Sequence, residues 1–370
     1  MIKMNEKAKT IAFKILRILL IVILSIVVIL AGMIAFLSIT EYRPKDRESL
    51  EVTGGGTKNA VIGEEISVLT FNIGYGALGD NADFFMDGGK SVNTADKARV
   101  EQNLSGILGS VKSLDPDIVF FQEIDKSSTR SHKINEYEKF KNELGGYSFS
   151  FANNFKVAFL PYPIPPIGKV DSGIATACRF GVESAERVQL PIPFSWPVRM
   201  ANLKRCVIIS RIPIENSDKE LVLFNLHLEA YDSGEGKEKQ TKMLADLLKA
   251  ETDKGNYVIA GGDFNQIFST ADKNAYPAKD GMWKPGEIDV SAFGEGFNFL
   301  MDSGTPTCRS LDKAYKGADR SDFQYYLIDG FIVSDNIEVN LVKTQDLDFV
   351  CSDHNPVLMK LVLKGNNDEN

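Results

Sequence analysis

The longest apolar stretch of the chain lies close to its N-terminus. Residues 18–40, ILLIVILSIVVILAGMIAFLSIT, include no charged side chain. As an α-helix this stretch would rise about 34 Å, more than the roughly 30 Å of a bilayer's hydrocarbon core. A buried helix of a globular domain seldom runs this far without a charge. The pattern therefore predicts one transmembrane helix over residues 18–40, preceded by a basic cytoplasmic segment at residues 1–17.

A cleaved signal peptide is the alternative explanation of this apolar stretch. Signal peptides carry an apolar region of about 7–15 residues that ends in a small-x-small cleavage site. Here the stretch is longer and no such site follows it. Met33 stands after Leu30-Ala31-Gly32, where a lipoprotein signal would carry its cysteine. We therefore expect an uncleaved anchor rather than a signal peptide or a lipid attachment.

The charges beside the apolar stretch predict its orientation in the membrane. The basic residues of this region all precede the stretch and outnumber Glu6; they are Lys3, Lys7, Lys9, Lys14 and Arg17. Because basic residues are retained on the cytoplasmic side of a membrane, the N-terminus should be cytoplasmic. The sequence thus predicts a single-pass protein of the cell membrane whose domain after the apolar stretch is extracellular.

After the anchor the pattern changes twice. Residues 41–63 are polar and contain three consecutive glycines, which is typical of a linker. From Glu64 to residue 364, short apolar strands alternate with helices of amphipathic spacing, which indicates one domain of the α/β class with mixed sheets. Residues 365–370 form a polar tail. The clearest helices are residues 94–114 and 237–250, and the strand candidates are 66–71, 117–121, 173–178, 205–210, 221–226, 257–262, 327–333 and 357–363.

Composition narrows the class of protein. Hydrophobic residues make up 44% and charged residues 25% of the 370 residues, which excludes a disordered or collagen-like chain. Four cysteines are too few for a disulfide-built scaffold, and their spacing identifies no pairing. The formal net charge of −8 argues against a broad basic surface for nucleic acid.

Polar side chains follow several of the predicted strands at the point where each strand ends. Such strand ends meet at one edge when the strands are neighbours in a sheet. Carboxylate and amide oxygens suit a hard cation such as Mg²⁺, and histidines suit proton transfer near neutral pH. The residues concerned are Asn72, Glu123, His227, Asp263, Asn265, Asp329, Asp353 and His354.

Six motifs around these residues are similar to those of a known superfamily. TFNIGYG, FFQEID, NLHL, GGDFN, IDGFIVSDN and SDHNPV occur in the order typical of the endonuclease/exonuclease/phosphatase superfamily, the deoxyribonuclease I-like metal-dependent phosphoesterases. The resemblance covers about residues 64–364. It implies a four-layered sandwich in which two mixed β-sheets pack face to face with helices outside.

The same resemblance implies a metal site. Glu123 and Asn72 correspond to the residues that bind the catalytic divalent cation in the superfamily, and Asp353 corresponds to a carboxylate close to that cation. We expect the cation to be Mg²⁺, with Mn²⁺ as the alternative. A cation there would neutralise charge that develops on the phosphate oxygens.

The remaining motif residues are implied to be catalytic. His354 corresponds to the residue that takes a proton from the attacking water, and Asp329 to the residue that orients it. His227 corresponds to the second histidine of the active site. Asp263 and Asn265 correspond to residues near the scissile phosphate, where Asp263 would help hold the nucleophile and Asn265 would donate a hydrogen bond.

For three further residues near the motifs, the sequence evidence for a functional role is weaker. Arg130 and Ser131 follow the QEID motif, and Arg205 opens a predicted strand from which it could reach a phosphate. We expect all three to be surface or fold-supporting residues. His132 lies in the charged stretch RSHK and is expected at the surface.

The substrate is the least determined property. A tethered, acidic domain with Pro- and aromatic-rich segments at residues 159–168 and 190–198 favours a lipid or another membrane-proximal phosphoester. These segments either pack within the fold or rim the active site and enter the headgroup layer. An extracellular nuclease acting on nucleic acid is the alternative, and a non-catalytic membrane-bound binding module is the alternative of another class.

Overall fold

Two mixed β-sheets form the centre of the molecule. The structure is a computed structural model and describes residues 6–232 and 234–365. The helices of these residues are α1 (Glu6–Thr40), α2 (Lys97–Leu114), α3 (Glu136–Glu143) and α4 (Glu235–Thr252). Their strands are β1 (Arg47–Leu50), β2 (Thr53–Gly54), β3 (Glu65–Asn72), β4 (Ile118–Asp125), β5 (Ser148–Leu160), β6 (Gly168–Cys178), β7 (Ser184–Gln189), β8 (Cys206–Pro213), β9 (Glu220–His227), β10 (Tyr257–Asp263), β11 (Gln266–Phe268), β12 (Gly286–Ile288), β13 (Phe297–Leu300), β14 (Cys308–Arg309), β15 (Tyr325–Tyr326), β16 (Asp329–Ser334), β17 (Ile337–Thr344) and β18 (Val357–Leu363).

Each large sheet has seven strands within the described residues. One sheet has the order β1-β7-β8-β9-β10-β16-β13, and the other has the order β17-β18-β3-β4-β6-β5-β2. Two small ribbons, β11-β12 and β14-β15, accompany them. The predicted α/β sandwich of two mixed sheets flanked by helices is confirmed.

Apolar side chains from both sheets meet in the layer between them. Val68 and Phe120 of one sheet share a buried cluster with Leu223, Ile259 and Phe331 of the other. Strand β10 is buried along its whole length because it lies inside its sheet and is covered on both faces. This rigid centre holds the ends of β3, β4, β9 and β10 at fixed positions.

The outer helices cover the sheets with their apolar faces. In α2, Val100, Leu104, Ile107 and Val111 are buried at the predicted helical spacing. The helix begins later than predicted, because Asp96 rather than Thr94 is its N-cap; the Asp96 side chain accepts a hydrogen bond from the Arg99 backbone N–H.

The N-terminal apolar stretch is one continuous helix. Helix α1 runs from Glu6 to Thr40, and within the described residues it is the one helix long and apolar enough to cross a membrane. Its residues 18–32 are exposed. This agrees with the predicted helix, whereas its place in a membrane remains a prediction.

Residues 41–63 are not a free linker. Within this segment β1 pairs with β7 and β2 pairs with β5, so the segment adds a strand to an edge of each sheet. Ala60 is fully buried and bridges to Ile214. The predicted boundary at Glu64 is therefore wrong, and the folded domain begins directly after α1. The predicted tail at residues 365–370 lies, apart from Gly365, outside the described residues.

The four cysteines are free thiols, as expected for a chain without a disulfide framework. Cys178, Cys206 and Cys308 are buried, and Cys351 is half-buried.

Candidate active site

The polar strand ends converge on one cleft of about 660 Å³. Strands β9 and β10 are parallel neighbours and end side by side, with His227 opposite Asp263. Strand β16 begins antiparallel to β10, with Asp329 opposite Asp263. Residues of several strand ends and loops therefore line a single cavity, and among them are Glu123, His227, Asp263, Asn265, Asp353 and His354.

A buried histidine of this cleft, His354, lies close to two carboxylates. Nδ1 of His354 is 2.9 Å from Oδ2 of Asp329, and its Nε2 is 3.8 Å from Oδ2 of Asp263. Oδ1 of Asp329 is buried without a hydrogen-bond partner in the described part of the chain. The contact with Asp329 fixes the imidazole ring, so that Nε2 faces Asp263.

The two cleft histidines differ in their basicity. Burial opposes protonation of His354, but the neighbouring Cys308 and Asp329 outweigh it and raise the pKa of His354 well above its usual value. Burial, together with the nearby charges of Arg205 and His354, lowers the pKa of His227 well below its usual value. One fold thus holds one strongly basic and one weakly basic imidazole in the same cleft.

Asp263 is the centre of the polar network. Its Oδ2 accepts a hydrogen bond of 3.0 Å from Nδ2 of Asn72 and lies 3.4 Å from Nε2 of His227. Its Oδ1 accepts the backbone N–H of Asn265 at 2.8 Å. Burial and the neighbouring Asp329 carboxylate raise the pKa of Asp263 to about 7. Asp263 thereby ties the first strand end to the GDFN turn.

The amides of Asn72 and Asn265 are engaged within the protein. Oδ1 of Asn72 accepts the backbone N–H of Gly74, and its nitrogen binds Asp263. Nδ2 of Asn265 donates to the carbonyl oxygen of Leu228 at 3.0 Å. In this arrangement Asn72 supports Asp263, and Asn265, whose φ of 51° is left-handed, keeps its second amide hydrogen for a ligand.

Glu123 occupies a strained backbone position at the cleft. Its φ is 55°, which is uncommon for a residue with a side chain. The pairing of β4 with β6 shifts register between Phe121 and Ile124, so a β-bulge lies at Gln122 and Glu123. Within the described residues no hydrogen bond or ion pair reaches the Glu123 carboxylate, although it lines the cleft. Such strain is a feature of functional sites.

Glu123 and Asp353 both line the cleft and offer carboxylate oxygens to it. Burial raises the pKa of Asp353 to about 6; His354 opposes this shift, and the negative charge of Glu123 reinforces it. Two carboxylates that repel each other in a cleft, one of them without a hydrogen-bond partner, provide the hard oxygen donors that Mg²⁺ prefers. Two groups of side chains in the described part of the chain have possible ligand atoms within 4.8 Å of one another: Cys308, Asp353 and His354, and Asp263, Asp329 and His354.

Two arginines lie in the cleft although the sequence analysis expected only a surface or fold-supporting role for them. The guanidinium of Arg130 lies 3.5 Å from the centre of the Tyr75 ring and forms two hydrogen bonds to Asp125. Nε of Arg205 lies 3.3 Å from Oε2 of Glu229. Both arginines line the cleft, each beside a carboxylate.

Other residues that line the cleft belong to no motif that could have identified them from the sequence. Trp283 packs edge-on to Tyr326 with 5.1 Å between ring centroids, and Tyr231 lies 6.5 Å from Trp283. The Tyr231 hydroxyl donates to Asp87 at 3.0 Å. These aromatic rings form one wall of the cleft. His132 is exposed, as expected, and its Nε2 is 2.9 Å from the Ala95 carbonyl oxygen.

Comparison with protein families decides the classification of the chain. The model of the endonuclease/exonuclease/phosphatase family matches residues 69–354. The chain belongs to the endonuclease/exonuclease/phosphatase family. Members of this family are metal-dependent phosphoesterases and nucleases, and the chain is accordingly a hydrolase of the class that acts on ester bonds. A comparison with curated protein sequences finds no match.

Solved structures share the fold at low sequence identity. An endonuclease/exonuclease/phosphatase from Beutenbergia cavernae is 17% identical, with a TM-score of 0.55 over 81% of this chain and 72% of that chain. One from Bacteroides vulgatus is 14% identical, with a TM-score of 0.52 over 81% of this chain and 100% of that chain. The human Nocturnin catalytic domain is 16% identical, with a TM-score of 0.48 over 85% and 98%. These similarities concern the fold alone.

Proposed function

We propose that the chain is a membrane-anchored phosphoesterase that depends on a divalent metal and hydrolyses a phosphodiester or phosphomonoester outside the cytoplasmic membrane. The observation that carries this proposal is the shared cleft of Glu123, Asp353, His354 and Asp263, with Asp329 behind His354. Carboxylates, a fixed imidazole and two arginines in one cavity provide what phosphate ester hydrolysis requires.

Glu123 and Asp353 are the proposed metal ligands, with Asn72 supporting the site through Asp263. A bound Mg²⁺ or Mn²⁺ ion would neutralise negative charge on the non-bridging phosphate oxygens. The strained backbone at Glu123 holds its carboxylate towards the cleft, so little reorganisation should accompany binding.

His354 is the proposed proton acceptor for the attacking water, a role that its imidazole takes in the neutral form. Asp329 holds Nδ1 of His354, and Nε2 lies 3.8 Å from Oδ2 of Asp263. Asp263 lies on the same side as Nε2 and can position the water oxygen. His227 and Asn265 border the same space and can donate hydrogen bonds to phosphate oxygens.

A lipid or another membrane-proximal phosphoester is the preferred substrate. Support comes from the apolar helix α1 and from the apolar and aromatic residues in the cleft, among them Phe155, Phe194 and Trp283. Such walls suit a substrate that has an apolar part beside its phosphate. A nuclease is the second candidate, and Arg130 and Arg205 in the cleft are the observation in its favour.

A panel of substrates would separate these candidates. The full chain in detergent micelles would be assayed with glycerophospholipids, sphingomyelin, inositol phosphates, DNA and RNA. We expect the highest kcat/KM with a phosphoester lipid. A preference for DNA or RNA would select the nuclease, and activity on no phosphoester would leave a non-catalytic binding module. The chain must not be shortened to residue 64, because β1 and β2 precede that position.

The proposed topology gives a separate prediction. Because basic residues precede the apolar stretch, residues after 40 should be extracellular. Protease added to intact cells without a cell wall should therefore digest the catalytic domain, and a cytoplasmic control protein should survive. Survival of the domain until the cells are lysed would contradict the proposed orientation.

A further inference from the structure

The C-terminal turns of α1 pack directly against the catalytic domain. Leu37 is buried in a cluster with Val157 and Met200, and Met33 and Ile34 pack against the same cluster, as do Phe155 and Leu160. Oγ of Ser38 is 3.0 Å from Sδ of Met200. The anchor is therefore docked on the domain rather than joined to it by a flexible tether.

Buried ion pairs continue this docking just past the end of α1. The Glu41 carboxylate is almost fully buried; its Oε1 lies 3.0 Å from Nε of Arg199 and 3.7 Å from Nζ of Lys204. The Lys204 ammonium also donates to the Arg199 carbonyl oxygen. Oε2 of Glu41 also accepts a hydrogen bond of 2.9 Å from Nε of Arg43, so three cations surround this carboxylate and hold the residue that follows α1 against the domain.

The length of α1 determines how close the domain lies to the membrane. From Ile18, the first residue after Arg17, to residue 32, just before the docked Met33, the helix rises only about 22 Å. A bilayer core is about 30 Å thick, so the turns around Met33 to Leu37 are needed to complete the span. The parts of the domain that touch these turns must then lie at the outer surface of the membrane or within its headgroup layer.

The segments that touch these turns carry exposed apolar side chains. Tyr162 is 71% exposed and Ile164 is 94% exposed, in the loop that follows Leu160. Trp196 is 57% exposed, in the loop that precedes Met200. Leu190, at the start of the second segment, is buried in the core, whereas these three side chains are exposed. We name these three side chains the apolar rim.

The apolar rim is continuous with one wall of the catalytic cleft. Phe155 packs on the anchor cluster and also lines the cleft. Phe194 and Leu203 line the cleft from the same loop region that carries Trp196. Anchor, rim and cleft thus share one edge of the molecule.

We propose that the apolar rim is seated in the outer leaflet of the membrane that α1 spans, and that the cleft opens directly onto the lipid headgroups of that leaflet. The leaflet is the occupant because the rim lies within a few residues of the docked end of the anchor, where the span has to be completed. The orientation deepens the proposed function: it presents a phosphoester lipid to the cleft from the side, beside Phe155.

Tryptophan fluorescence tests the seating without any assay of catalysis. The chain has two tryptophans, so the full-length Trp283→Phe protein retains Trp196 alone. In vesicles of lipids brominated near the headgroup end of their acyl chains, we expect strong quenching of Trp196. The reciprocal Trp196→Phe protein, which retains Trp283 in the cleft wall, should be quenched much less. Equal, weak quenching of both proteins would overturn the seating.

A triple variant tests whether the seating presents lipid to the cleft. Full-length Tyr162→Ser/Ile164→Ser/Trp196→Ser should lose about tenfold in hydrolysis of a phosphoester lipid in vesicles, because the rim's apolar contact with the leaflet is removed. Hydrolysis of a small soluble phosphodiester should be unchanged. Leu341→Ser is the matched control, since Leu341 is 39% exposed on β17, at the opposite edge of the sheet from β5; it should affect neither reaction.

The outcomes distinguish this inference from the proposed function on which it rests. Equal losses on vesicles and soluble substrate, or no loss on either, would overturn the presentation of lipid to the cleft. Absence of hydrolysis of every phosphoester by the unmodified chain would contradict the proposed function, whereas quenching of Trp196 would still establish the seating.

Discussion

Replacement of Glu123 by alanine is expected to reduce phosphoester hydrolysis by more than about 10²-fold, a loss typical of removing a main electrostatic contact to the reacting phosphate. Glu123 is the proposed metal ligand, its carboxylate has no hydrogen-bond partner in the described chain, and its charge already acts on Asp353. Without it, the cation that offsets phosphate charge would lose its principal ligand. Measurement of kcat/KM across a range of Mg²⁺ concentrations would detect the loss.

A second variant separates charge from shape at this position. Glu123→Gln retains the size of the side chain and removes its charge, so it should be nearly as inactive as Glu123→Ala. Both proteins should have the thermal stability of the parent, because no hydrogen bond or core contact is removed. A folded Glu123→Ala protein with near-normal activity would show that Glu123 is not a metal ligand.

His354→Ala and Asp329→Ala are each expected to lower kcat strongly, by about 10²–10⁴-fold for a lost proton acceptor. The 2.9 Å contact between His354 Nδ1 and Asp329 Oδ2 makes the two residues one unit. The double variant should therefore lose little beyond the worse single variant. The four kcat values of this cycle are the measurement.

The pairing of these residues can be contradicted in two ways. Losses that add in free energy would show that His354 and Asp329 serve separate roles. Asp329→Asn provides a milder control, because the amide oxygen can still accept a hydrogen bond from Nδ1; it should retain more activity than Asp329→Ala. Equal inactivity of the two Asp329 variants would argue against an orienting role.

The sequence was informative wherever a buried strand ended in a polar side chain. Strands β3, β9, β10 and β18 were predicted because each combines an apolar run with a sharp polar boundary. The residues of the candidate site lie at those boundaries: His227, Asp263 and Asp329 are opposite one another in neighbouring strands. Local pattern and chemistry therefore pointed to the same edge of the sheets.

The sequence was misleading at the edges of the sheets. Strand β1, RESL, is half-exposed along its length, so it has no apolar face to reveal it. Helix α3 is rich in charged residues, and only Glu136, Tyr137 and Phe140 of it are buried. Its apolar residues are too few to reveal a helical periodicity in the sequence. These elements form because long-range pairing and packing outweigh local preference.

Contacts between distant segments were beyond the reach of the sequence. Nothing in the neighbourhood of Trp283 indicates that it packs on Tyr326 in the cleft wall, and nothing in α1 indicates that Leu37 packs on Met200. Arg130 was expected to be a surface or fold-supporting residue, and its contact with the Tyr75 ring, 55 residues earlier in the chain, was not foreseen. Only the folded arrangement brings these side chains together.

The metal-dependent hydrolysis of a soluble phosphodiester by the full chain is the most direct test of the central claim. The chain in detergent micelles would be assayed with bis(p-nitrophenyl) phosphate after EDTA treatment and then during titration with Mg²⁺ or Mn²⁺. We predict no hydrolysis in EDTA, recovery on addition of the cation, and no recovery with Glu123→Ala. Hydrolysis that persists in EDTA, or the same recovery in Glu123→Ala, would contradict a metal-dependent phosphoesterase built on Glu123.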